Sequence, residues 1–150
     1  MVLLSSKNIC LVHFALLNAV AYKLLTNPAD ISGHGTIFMI GRAMALPDAE
    51  FSEDDPALGL AAFLLLNLSI VDLTAMSITS TSFLELAVPL RLMLSFVVCG
   101  FGYMVPDSSI AIANSAVFSI SFLDIMMQFW LYITIREERS LIIREQTVSE

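Results

Sequence analysis

The chain has 150 residues, 57% of them hydrophobic, with 7 basic and 14 acidic side chains and a formal net charge of -7. Its mean hydropathy of +0.83 points to an integral membrane protein, and apolar stretches of about 20 residues each leave no room for a soluble catalytic domain. The acidity argues against nucleic acid as a partner, although five of the acids, Asp48, Glu50, Glu53, Asp54 and Asp55, share one loop between Pro47 and Pro56.

The first predicted element is an apolar span over residues 8–25. Lys7 ahead of it and Ala19-Val20-Ala21 within it imitate a signal peptide and cleavage site, but the expectation is a retained membrane anchor. Residues 26–56 form a long loop holding its own apolar patch, Thr36 to Leu46, in which Ile37, Ile40, Gly41 and Met44 recur at helical spacing while Arg42 points away. Ten or so residues cannot cross the roughly 30 Å of hydrocarbon, so this patch reads as a short helix lying at the interface or tucked against the bundle. Three further spans follow over residues 57–76, 83–105 and 109–135, each long enough to cross at about 1.5 Å per residue. The connections between them, roughly Ser77 to Ser82 and Pro106 to Asp107, are short and force antiparallel neighbours. Residues 136–150 form a polar tail. The fold class expected is therefore all-α, a polytopic four-helix transmembrane bundle with a short interfacial helix in the first loop, and residues 1–150 make one membrane domain.

Orientation follows the basic residues near span ends. Lys7, Arg136, Arg139 and Arg144 lie on one side against Lys23 and Arg42 on the other, which places both termini in the cytoplasm and the acidic loop outside it. Cys10 and Cys99 fall at different depths, so a disulfide between them is not expected.

Chemistry, if present, has to come from the ionisable groups within the spans: Asp72, Glu85, Arg91 and Asp124. Lipid cannot hydrate a lone charge, so such groups face the bundle interior, pair, or sit near headgroups. In the fourth span Asn114, Ser121, Asp124 and Gln128 share one helical stripe, and in the third Ala87, Arg91, Ser95, Cys99 and Gly102 make a stripe of small residues around one arginine. Arg91 and Asp124 come out at similar depth, with Asp72 somewhat shallower, so a buried polar seam of Asp72, Arg91, Ser95, Asn114, Ser121, Asp124 and Gln128 is expected, built on an Arg91–Asp124 pair assisted by Asp72. This seam serves either as an ion, proton or substrate path or as a lock on helix packing. The lock is the stronger reading, because an arginine at depth costs about 2.5–3.5 kcal/mol unpaired and needs a partner in either case. Glu85 suits the headgroup level near a helix N-terminus. Trp130 and Tyr132 ahead of Arg136 and Arg139 read as an aromatic belt followed by snorkelling charges.

Other candidates carry less. His13 reads as an interhelical hydrogen-bonder, since no second histidine or cysteine shares its face. Ser32 and His34 stand two apart in a flexible loop and make no catalytic pair. The acidic loop lacks the glycine-centred spacing of a calcium site, the Asn67-Leu68-Ser69 sequon is buried in a span, and Glu137 to Ile142 fits a helix extension better than a dileucine signal. Neither a metal nor a cofactor is expected.

Several stretches nevertheless form a pattern: Leu25-Thr26-Asn27-Pro28, then Phe38-Met39-Ile40-Gly41-Arg42-Ala43-Met44-Ala45-Leu46-Pro47, Asp72-Leu73-Thr74-Ala75, Val88-Pro89-Leu90-Arg91, and Phe129-Trp130-Leu131-Tyr132 running into Arg136-Glu137-Glu138-Arg139. In that order and spacing they resemble the fungal "increased loss of mitochondrial DNA" family over nearly the whole chain. The chain departs from the family pattern at Arg42, where the resemblance leads one to expect an acidic residue, and in its short third connection. The resemblance implies a small multi-span protein of the endoplasmic reticulum, tied indirectly to maintenance of the mitochondrial genome, and it supplies no catalytic residues. Three functions are compatible with the residues: a non-enzymatic accessory subunit or assembly factor, a small oligomeric channel or transporter using the seam, and a lipid-binding or lipid-modifying protein. The partners expected are membrane lipids and either another membrane protein or further copies of the chain.

Overall fold

A computed structural model of the chain describes residues 5–49, 51–52, 55–77, 82–105 and 112–149. The expected short connections, the start of the fourth span at Ser109, and Glu50, Glu53 and Asp54 of the acidic loop lie outside the described residues. The elements are all helices: α1 Ser6–Thr26, α2 Ala29–Ser32, α3 Gly35–Ala43, α4 Pro56–Ser77, α5 Ser82–Met104 and α6 Ser115–Ser149. Four of them, α1, α4, α5 and α6, are long and apolar enough to cross a membrane.

Local sequence explains where the helices begin and end. Asp55 caps α4 by accepting a hydrogen bond from the Ala57 N–H at 2.9 Å, with Pro56 at the first helical position, where its missing N–H costs nothing. Asn114 does the same for α6, accepting from the Val117 N–H at 2.9 Å, which is why residues 112–114 are turn rather than the helix expected there. The N-terminus of α1 is capped by a different helix. Glu138 of α6 accepts from the Ser6 backbone N–H at 2.9 Å and from the Ser6 hydroxyl at 2.7 Å, placing a carboxylate at the positive end of the α1 dipole. At its far end α1 stops before Asn27-Pro28, since a residue preceding proline is pushed out of helical geometry.

Polar side chains within the spans are returned to their own backbones. The Asn18 amide donates to the Phe14 carbonyl at 2.7 Å and that of Asn67 to the Phe63 carbonyl at 2.9 Å. The hydroxyls of Ser69, Thr74, Ser119 and Thr134 bond carbonyls three or four residues back. Each such bond removes a donor that hydrocarbon would leave unsatisfied.

Packing is pairwise. α1 lies chiefly against α4 and α5 against α6, while α1 and α6 make a smaller contact that joins the pairs. One apolar cluster, containing Ala21, Leu24, Leu58, Ala62 and Ala116, occupies the end nearest the first loop; another, with Ile9, Cys10, Val88, Leu131 and Ile135, occupies the opposite end. Cys10 and Cys99 are free thiols in separate clusters. Large side chains such as Leu60, Phe63, Leu64, Leu86, Leu90, Met93 and Val97 point outward from α4 and α5, as lipid-facing surfaces do. α6 is 35 residues long, about 50 Å at 1.5 Å per residue, so it continues well beyond the hydrocarbon through residues 136–149.

Of the two placements open to the helix in the first loop, the structure has it tucked against the others: α3 packs on the start of α6. Gly41 makes this possible, because a Cβ there would stand 2.7 Å from the Ser115 Cβ. The helix ends in a Schellman turn, with Leu46 N–H bonded to the Gly41 carbonyl at 2.9 Å and Ala45 N–H to the Arg42 carbonyl at 3.3 Å; Ala45 takes the left-handed position at φ 53°. The chain beyond is pinned to the same serine, whose N–H donates to the Pro47 carbonyl at 3.0 Å and whose hydroxyl accepts from the Ala49 N–H at 3.2 Å. We expect Gly41→Ala to lower stability by about 1–3 kcal/mol through overpacking. Ser115→Gly on that background should recover part of the loss, as read from denaturant unfolding in detergent micelles.

Candidate functional site

Each of the four long helices contributes one ionisable side chain to a single buried cluster. Counted from the ends that meet near Glu138, His13 lies about 10 Å along α1, Asp72 about 8 Å from the end of α4 and Arg91 about 14 Å along α5. Antiparallel packing then brings the three to a common level, where Asp124 of α6 joins them.

Arg91 spans the two carboxylates, with Nη1 at 2.8 Å from Asp72 Oδ1 and Nη2 at 3.1 Å from Asp124 Oδ1. A planar guanidinium serves two acceptors at once in a way that a lysine ammonium does not. Ser95, one turn along from Arg91, donates its hydroxyl to Asp124 Oδ2 in a short hydrogen bond. His13, only 2% exposed, closes the ring: Nδ1 lies 2.8 Å from Asp72 Oδ2 and Nε2 3.0 Å from Asp124 Oδ1. The first contact is a hydrogen bond, whereas the second is off the line of one and leaves Nε2 without a hydrogen-bond partner. Both ring nitrogens thus face carboxylate oxygens, and only the imidazolium has a donor on each side.

The cluster is a junction between the helix pairs. His13 and Asp72 belong to α1–α4, whereas Arg91, Ser95 and Asp124 belong to α5–α6. The His13–Asp124 and Asp72–Arg91 contacts cross from one pair to the other. A small cavity of about 40 Å³ adjoins it, lined by Asp72, Arg91 and the buried Gln128 among apolar side chains; it exceeds the roughly 10–15 Å³ that one water requires. Arg91 Nε is buried beside it with no hydrogen-bond partner. Among the described residues no group of three or more His, Cys, Asp and Glu side chains is arranged to hold a metal ion.

The remaining residues of the expected seam separate from this centre. Asn114 caps the start of α6, about 15 Å along the helix from Asp124, and Ser121 is half-buried outside the ion pairs. Asp72, though shallower by count along its helix, is as full a partner of Arg91 as Asp124 is. The group that the seam omitted is His13. Its position seven residues into α1 matches the depth of the carboxylates, a signal that counting along each span would have exposed.

The interfacial residues form a second assembly at the end of α5 and α6. Arg139 Nη1 lies 2.7 Å from Glu85 Oε2, and Arg136 donates to the Tyr132 hydroxyl at 2.8 Å with its guanidinium 5.3 Å from the ring centroid. Together with Leu84, Pro89 and Ile135 these four side chains line a cleft of about 220 Å³, while Trp130 stands apart with half its surface exposed.

Removing one member of a dry ion pair strands the other, which costs about 3–5 kcal/mol. Arg91→Met is expected to fall in that range if the junction is dry and below it if water fills the adjoining cavity, as read from denaturant unfolding in micelles. Arg91→Met with Asp124→Leu should recover most of it, because the double change removes one charge of each sign. A double variant as unstable as the single one would show that the loss comes from the missing ion pair itself and not from a stranded charge.

A family model described as "Increased loss of mitochondrial DNA protein 1" matches residues 4–145. Protein ILM1 of Saccharomyces cerevisiae is 29% identical over 137 residues, covering 91% of this chain and 67% of that protein. Protein ilm1 of Schizosaccharomyces pombe is 26% identical over 149 residues, covering 99% of this chain and 91% of that protein. No solved structure matches the chain. With three of the candidate spans, most of the fourth and the whole His13–Asp72–Arg91–Asp124 junction inside the matched residues, the chain belongs to the "Increased loss of mitochondrial DNA protein 1" family.

Proposed function

We propose that the protein is a non-enzymatic accessory subunit or assembly factor of a larger complex in the endoplasmic reticulum membrane, and that it supports mitochondrial DNA maintenance indirectly. The observation that carries this reading is the closure of the buried charges on one another: His13, Asp72, Arg91 and Asp124 are engaged in mutual contacts, which uses them to hold helices together rather than to meet a substrate. The outward apolar faces of α4 and α5 supply the surface such a subunit needs. On this reading, mild-detergent purification followed by mass spectrometry recovers a stoichiometric membrane-protein partner. Recovery of a homo-oligomer alone would contradict it.

Both termini are assigned to the cytoplasm from the basic residues at the two ends. A sequon grafted beside Asp48 should then be glycosylated in microsomes, and one appended after Glu150 should not.

A second reading, a small oligomeric channel or transporter, draws on the water-sized cavity beside Asp72, Arg91 and Gln128. The same Arg91→Met, Asp124→Leu variant separates the two. An accessory subunit that folds and reaches its membrane keeps cellular function, whereas a transporter loses it as fully as a deletion does.

A further inference from the structure

A large concavity lies away from the charged junction, between α1 and α6 on the side of the first loop. It has a volume of about 740 Å³, within the roughly 300–1,000 Å³ of small-ligand sites. Its chemistry changes along its length. Leu16, Ala19 and Val20 of α1 face Ile120 and Leu123 of α6 across an apolar trough. These residues lie inside segments long and apolar enough to be spans, and Leu16 to Lys23 covers about 10 Å of helix. At the mouth the walls turn polar, with Lys23, Asp30 and His34, while α2 and α3 roof the opening with Ile31 and Ile37.

The mouth is held in place. Lys23 Nζ lies 2.6 Å from Asp30 Oδ2, and the Asn27 amide donates to Asp30 Oδ1 at 3.0 Å, so the end of α1 and the start of α2 fix a cation and an anion side by side. Both remain about half exposed, leaving ammonium protons of Lys23 and lone pairs of Asp30 open to a ligand. An apolar trough at acyl depth under a paired positive and negative rim at the span end has the polarity profile of a membrane lipid. The rim carries no net charge, which favours a headgroup that is itself zwitterionic.

From this we infer that the α1–α6 groove binds one zwitterionic glycerophospholipid, with an acyl chain between Ala19 and Leu123, its phosphate at Lys23 and its ammonium group at Asp30. The inference is independent of the accessory-subunit reading, because it concerns a surface that the charged junction does not touch.

The test is native mass spectrometry of the full chain released from mild detergent after incubation with dioleoyl phosphatidylcholine or dioleoyl phosphatidylglycerol. One phosphatidylcholine retained per chain, in preference to phosphatidylglycerol, is the expected result. Ala19→Phe and Leu123→Trp fill the trough from opposite walls at exposed positions. Each should cut retention by about tenfold or more with circular dichroism and thermal unfolding unchanged, and two variants guard against one failing to fold. Retention equal to the wild type in both folded variants would overturn the proposal. Equal retention of phosphatidylglycerol would overturn the headgroup assignment. A dimer dissociated by Ala19→Phe, with no lipid bound, would make a second copy the occupant and overturn it as well.

Discussion

The two helix pairs of this protein are joined at the contact of one guanidinium and one imidazole with two carboxylates. Within a bilayer the hydrophobic effect does not drive helix onto helix, since lipid tails are as apolar as the side chains they would replace. Tight packing can still form where small residues permit it, as Ala21 and Ala62 do between α1 and α4. The two helix pairs meet over less backbone, and there the charged junction supplies what shape alone does not. Its members have no favourable alternative: Arg91 turned outward would face hydrocarbon, and so would either aspartate.

That same cost made part of the junction legible in the sequence. An arginine and two aspartates within apolar spans had to be accounted for, and pairing was the cheapest account. His13 was harder to read because a neutral imidazole tolerates many surroundings, and its importance follows only from depth, which requires the antiparallel order of all four helices. Asn114 shows the opposite error. Its offset of seven from Ser121 fits a stripe, but periodicity holds only inside a helix, and Asn114 is the residue that starts one. The choice between the two placements of α3 stayed open for another reason: Gly41 marks a close approach without naming the partner, and Ser115 lies 74 positions away.

α6 is the common member of these arrangements. It meets α1 through Glu138 and Asp124, α5 through Asp124 and Arg139, and α3 through Ser115. The anchors at its two ends differ in kind. Ser115 works by close van der Waals approach and backbone bonds, whereas Glu138 and Arg139 work by charge at the level where the helix leaves hydrocarbon. The end pairs are weak on their own, because an exposed pair such as Glu85–Arg139 contributes about 0–1 kcal/mol. Their effect is to fix the rotation of a helix whose central Asp124 must point inward.

This division of labour bears on function. A helix whose orientation is over-determined at both ends and the middle is suited to presenting a surface rather than to moving. The roofed groove between α1 and α6 and the cleft at the α5–α6 end are both walled by it, at opposite ends of the molecule. A lipid seated in the first would touch α1, α2, α3 and α6 at once and so would report on the packing of the first loop against the spans. Since the junction joins α1 to α6 as well, the groove and the charged cluster share two of their walls. A change in either that shifted α1 against α6 would be felt by the other through the helix backbone, without any side chain passing between them.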